Sequence, residues 1–117
     1  MKILYCGDVV GRAGRNAIIH HLKDVKEKYK VDVAIVNGEN AAHGFGLSVS
    51  IFNDLLEAGV DMVTTGNHIW QQRDIYPSLD NSSQIIRPIN YPDSLPGRGA
   101  RVIEVGGKKI LTGETNL

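Results

Sequence analysis

Three short stretches carry residues able to do chemistry. They are Gly7-Asp8, Gly38-Glu39-Asn40 and Gly66-Asn67-His68. Each follows an apolar run (ILYC, VAIV and VDMVTT) and consists of a glycine and then a side chain able to bind a metal. Thirty-one residues separate Asp8 from Glu39, and twenty-eight separate Glu39 from Asn67. That is close to the roughly 30 residues of a βαβ unit. In a parallel sheet the carboxyl ends of the strands share one edge, and ligands bind in the crevice outside it. Asp8, Glu39, Asn40, Asn67 and His68 are therefore expected to converge there.

A carboxylate at the end of a buried strand is costly unless it is paired or metal-bound, which favours a functional Glu39. Asp8 by itself reads equally as a turn aspartate. Oxygen ligands together with a histidine suit a first-row divalent ion such as Mn or Fe. One carboxylate can bridge two such ions, and two metals about 3.5–4 Å apart can clamp both oxygens of a phosphoryl transfer. His43, in the glycine-rich loop after Asn40, is a candidate substrate contact. His20 and His21 read as surface residues of a helix, and Trp70 as a packing residue beside His68. Arg12 and Arg15 lie where a helix N-terminus can bind phosphate, although such arginines are more often solvated. Rival chemistries lack their residues. No GxxxxGK[ST] is present, GDVVG is not GxGxxG, and Val9 stands where a Gly-Asp-Ser hydrolase needs serine.

The elements that must position these residues follow in order. A first strand over residues 2–7 is expected to be buried on both faces. A helix from about Arg15 to Lys28 aligns Ile18, Leu22, Val25 and Tyr29 on one face. A second strand covers 32–37, and a helix capped by Ser48 or Ser50 runs to about Ala58, with Gly59 as its stop. A third strand covers 60–65. A short helix is expected from Trp70 to about Tyr76, limited by Pro77. Residues 84–86 read as a short fourth strand, and Ile89 to Gly99 as a loop. Strands over 100–105 and 108–112 are joined by Gly106-Gly107, a two-residue hairpin signal.

The chain has 117 residues, enough for one domain, and thirteen basic residues balance thirteen acidic ones. That balance argues against stable nucleic-acid or membrane-surface binding, both of which need a basic excess. The lone Cys6 argues for packing and a reducing compartment. The start MKILYCGDVVG is not a signal peptide, and no run nears the roughly 20 apolar residues of a membrane span. A cytoplasmic protein is expected.

At ILYCGDVVGRAGR, VNGENAAHGFGL, TTGNHIW, and RPINYP followed by PGRG, the chain resembles the calcineurin-like metallophosphoesterases, and closely the bacterial YmdB-like branch. The resemblance runs from Met1 to about Val105, and the segment after Ile110 matches poorly. It implies a four-layer α/β sandwich, of which residues 1–117 would be a partial domain: the N-terminal βαβαβ half plus a C-terminal hairpin. It also implies a dinuclear centre of iron or manganese. Asp8 would bind the first metal, with Asn40 as an additional ligand. Glu39 would bridge both ions, Asn67 would bind the second, and His68 would protonate the leaving oxygen. The remaining ligands of the family are histidines in its second half. Val10 stands where many members of the broad superfamily have a metal-binding histidine, and Ile69 where an acidic residue usually follows Asn-His. Both features belong to the YmdB-like branch.

The expected function is hydrolysis of a small phosphodiester, 2′,3′-cyclic and also 3′,5′-cyclic nucleotides, by in-line attack of a metal-bridging hydroxide. A homo-oligomer is expected, and the chain alone should be a poor enzyme. Two rivals stand beside this reading: a non-catalytic fragment that needs partner chains, and a nucleotide-binding module without turnover.

Overall fold

A computed structural model describes residues 1–116. Its elements are β1 (Ile3–Cys6), α1 (Gly11–Tyr29), β2 (Val33–Asn37), α2 (Val49–Glu57) and β3 (Met62–Thr64). Two short 3-10 turns follow, Asn67–Gln71 and Arg73–Ile75, then α3 (Tyr76–Asn81), β4 (Ala100–Val105) and β5 (Lys108–Gly113). β1, β2 and β3 form a parallel sheet in that order, and β4 and β5 form a separate antiparallel hairpin. This is the expected α/β class: a βαβαβ unit with a C-terminal hairpin.

The side-chain period of two decides what each sheet face packs against. Ala34 and Val36 of β2 and Val63 of β3 point to the helical side, into a core with Leu22, Phe52, Leu55, Ile75 and Leu79. Val33 and Met62 point the other way, into a second core with Ile86 and Ile103 that Ile35, Val105 and Ile110 flank. The sheet is thus the middle of three layers. β1 departs from expectation. Leu4 and Cys6 pack on the helical core, but Ile3 and Tyr5 are 53% and 58% exposed. The hairpin core reaches β2 and β3 and stops short of this edge strand.

Local signals explain most of the rest. Ser48 caps α2, its hydroxyl accepting from the Ile51 amide at 3.3 Å, and Gly59 follows the helix at φ 110°. Gly106 and Gly107 turn the hairpin at φ 58° and 77°, as a type I′ turn requires. α1 begins at Gly11 rather than near Arg15, with Gly14 N already bonded to Val10 O at 3.2 Å. Pro77 lies in the first turn of α3 instead of ending a helix from Trp70. A first-turn proline gives up no helical hydrogen bond, so the same residue serves as a start. Residues 84–86 make only an isolated parallel bridge, Val63 to Ile85.

Candidate metal centre

Backbone hydrogen bonds, reinforced by Arg15 and Asn37, bind the three strand-end turns to one another. Val9 N donates to Asn37 O and Gly11 N to Asn40 O, each at 3.1 Å, which fixes the Asp8 turn on the Glu39 turn. Arg15 reinforces the join, its guanidinium donating to Ala41 O at 2.6 Å, so this arginine organises the loop. Gly38 N donates to Thr64 O at 2.9 Å and Asn37 Nδ2 to Thr65 O at 3.3 Å, which fixes the Glu39 turn on the Asn67 turn.

The side chains then meet in a line. Asn40 Nδ2 donates to Asp8 Oδ1 at 2.7 Å. Asn40 Oδ1 lies 2.5 Å from His68 Nδ1. An amide oxygen only accepts, so His68 Nδ1 carries the proton, and Nε2 is the free end of the ring. Asn40 therefore orients His68, although Ile69 follows it where the broad superfamily has an acid. The Glu39 carboxylate stands beside this line: Oε2 accepts from His68 N at 3.4 Å and lies 4.0 Å from His68 Nδ1. Gly66 makes the approach feasible. A Cβ at residue 66 would fall 2.1 Å from Glu39 Oε2. Asn67 opens the following 3-10 turn and is exposed.

Asp8, Glu39, Asn40 and His68 are thus joined in one network, with Asn67 on its rim. His43 is exposed at φ 55° on the turn that starts at Asn40. Among the described residues it takes no part in the hydrogen bonds of the network. His20 and His21 are exposed on α1. Trp70 packs edge-on against Tyr76 and Tyr91, ring centroids 5.9 and 5.4 Å away, which is the packing role expected of it.

Among the described residues no three His, Cys, Asp or Glu side chains are grouped to hold a metal ion. Any ion here would draw on the amide oxygens of Asn40 and Asn67 as well as on Asp8 and Glu39. That mixed oxygen set suits a hard divalent cation. The bare Gly66, which keeps the Glu39 carboxylate against the next turn, fits a carboxylate shared between two ligand groups.

One site residue escaped the sequence reading. Glu114 Oε1 accepts from Thr65 N at 2.7 Å and lies 3.2 Å from Thr65 Oγ1. Burial, joined by the nearby Glu39 charge, pushes its carboxyl up to about 7 against the Thr65 hydrogen bonds. The signal was present: Gly113-Glu114 ends an apolar strand with glycine and then an acid, as Gly7-Asp8 and Gly38-Glu39 do.

A βαβαβ sheet with Asp8, Glu39-Asn40 and Asn67-His68 at the carboxyl ends of its strands is the arrangement that the resemblance to the metallophosphoesterases implies. The chain belongs to the YmdB-like protein family, whose profile matches residues 4–114. The match reaches past Ile110 and takes in Glu114. The chain is 41% identical over 121 aligned positions to a Bacillus subtilis protein named 2′,3′-cyclic-nucleotide 2′-phosphodiesterase, covering all of this chain and 46% of that one. It is similar to a crystal structure of a hypothetical protein from Thermus thermophilus, with TM-score 0.89 and 43% identity, over 98% of this chain and 44% of that one. It is also similar to a crystal structure of a novel phosphatase from Mycoplasma pneumoniae, with TM-score 0.88 and 39% identity, over 98% and 42%. The chain spans less than half the length of these relatives.

Proposed function

We propose that this chain is the metal-binding N-terminal half of a metal-dependent phosphodiesterase acting on small cyclic nucleotides, 2′,3′-cyclic ones first. The observation that carries the reading is the Asp8–Asn40–His68 line beside Glu39, which joins three strand ends far apart in sequence. The name of the Bacillus subtilis relative supports the substrate class. When bound, two divalent ions, iron or manganese, would neutralise phosphoryl charge and activate water. Asp8 and Asn40 would hold the first ion, Asn67 the second, and Glu39 both. Asn40 holds His68 with Nδ1–H directed at its amide, so Nε2 is the nitrogen that faces substrate. Protonated there, His68 gives its proton to the departing ribose oxygen as the P–O bond breaks. His43, on the loop after Asn40, would be the contact to the nucleoside. No helix among the described residues is long and apolar enough to cross a membrane.

The test is made on a protein of the relatives' full length that carries this chain as its first part. His68→Asn should lower kcat on a 2′,3′-cyclic nucleotide by roughly 10²–10⁴-fold, the range of general acid catalysis. It should lower kcat far less on a nitrophenyl ester, whose leaving group needs no proton. Equal losses on both substrates would overturn the acid role. A 3′,5′-cyclic nucleotide assayed in parallel defines the breadth of the substrate class.

A further inference from the structure

β3 runs out of partners where the site begins. On its open side Val63 N donates to Gln84 O at 2.8 Å, and Ile86 N donates to Val63 O at 3.0 Å. One more step of this parallel ladder would have Thr65 N donate to Ile86 O and the amide of residue 88 donate to Thr65 O. Residue 88 is Pro88, which has no N–H. The Ile86 carbonyl accepts instead from Thr65 Oγ1, at 2.8 Å. Thr65 N, buried and left without its ladder carbonyl, donates to Glu114 Oε1 at 2.7 Å.

Glu114 is itself held on both sides. Its amide donates to Gly99 O at 3.3 Å, and its carbonyl accepts from Ile89 N at 2.8 Å. Two residues on, Asn116 N donates to Asn90 Oδ1 at 2.9 Å. The carboxylate therefore offers a fixed acceptor to the residue that precedes Gly66-Asn67-His68, the turn that lies against Glu39.

Resting on the metal-centre reading above, we infer that Glu114 is a positioning residue of that centre. Its carboxylate stands in for the Ile86 carbonyl that the Thr65 hydroxyl occupies and sets the height of the Gly66–His68 turn against Glu39. The role is exerted through Thr65 and needs an accepting oxygen rather than a charge, so glutamine can perform it.

The experiment compares the chain with Glu114→Ala and Glu114→Gln by two readouts: amide hydrogen exchange at Thr65 and Gly66 without metal, and the Kd for Mn²⁺ by titration. Glu114→Ala should speed exchange at Thr65 and weaken Mn²⁺ binding roughly 10- to 100-fold, the usual effect of removing a group that orients a ligand. Glu114→Gln should restore most of both. Wild-type Mn²⁺ affinity in Glu114→Ala overturns the inference, and so does Glu114→Gln binding as weakly as Glu114→Ala, which would make the charge itself the requirement. If Glu114→Ala does not fold, Glu114→Gln decides alone, since it must keep near wild-type affinity. A wild-type chain that fails to bind Mn²⁺ overturns the metal-centre reading and this inference with it. Exchange at Thr65 that ignores Glu114, with Mn²⁺ binding intact, overturns the positioning role only.

Discussion

Gly66→Ala is the most informative single substitution at the site, because its cost is steric alone. Gly66 has φ −175° and ψ −158°, extended backbone that alanine adopts without strain. The added Cβ would lie 2.1 Å from Glu39 Oε2, 2.4 Å from its Cδ and 2.6 Å from Oε1. Ordinary carbon contacts begin near about 3.5 Å, so the carboxylate or the turn must retreat by roughly 1 Å. Glu39 is a flexible side chain, half-buried at the surface, and it gives way before the sheet does. The stability cost should sit at the low end of overpacking, about 1 kcal/mol. For a domain of this size that lowers Tm by about 3–6 °C. The effect on metal should be larger, since a retreat of that size takes Glu39 away from the Asn67 turn. A Mn²⁺ affinity lower by roughly 10- to 100-fold is expected. Calorimetric titration with Mn²⁺ and a metal-free thermal melt measure both quantities. Gly7→Ala is the control, because a Cβ at residue 7 meets nothing closer than Tyr5 Cε1 at 4.0 Å. Wild-type Mn²⁺ affinity in Gly66→Ala would refute the reasoning.

The metal-free chain should lose stability as pH rises from about 4.5 to about 7, because Glu114 is raised in the fold from 4.5 to about 7 and the folded state holds the extra proton. That contribution is complete below 4.5 and gone above 7. It amounts to about 3 kcal/mol as an upper bound and about 1–2 kcal/mol after screening of a partly exposed group; urea melts across this range, with Glu114→Gln flattening the curve, check it. Ser48→Ala should cost about 1 kcal/mol by loss of the α2 cap, read from the denaturation midpoint, with Mn²⁺ binding unchanged.

Where a residue's signal is local, the sequence was enough. Ser48, one of the two expected caps of α2, and the Gly106-Gly107 turn each act within a few residues, and the structure shows both. The convergence of Asp8, Glu39, Asn40 and His68 was also legible, because βαβ geometry returns every strand end to the same edge. What failed depended on distant packing. β1 reads as an interior strand, yet its exposure is set by how far the β4–β5 hairpin reaches across the sheet. Pro77 is compatible with either end of a helix, and the packing of Ile75 and Leu79 makes it a start. Glu114 meets Thr65 across forty-nine residues, and the need for it arises because the Thr65 hydroxyl takes the Ile86 carbonyl that the Thr65 amide would otherwise use.

The central claim is that these three strand ends form a metal site bridged by Glu39. Mn²⁺ binding to the chain and to Glu39→Gln, with circular dichroism confirming that both are folded, tests it most directly. The account predicts that the wild-type chain takes up Mn²⁺ and that Glu39→Gln, equal in shape but uncharged, loses nearly all of it. Equal Mn²⁺ uptake by the two proteins, or none by the wild type, would contradict it.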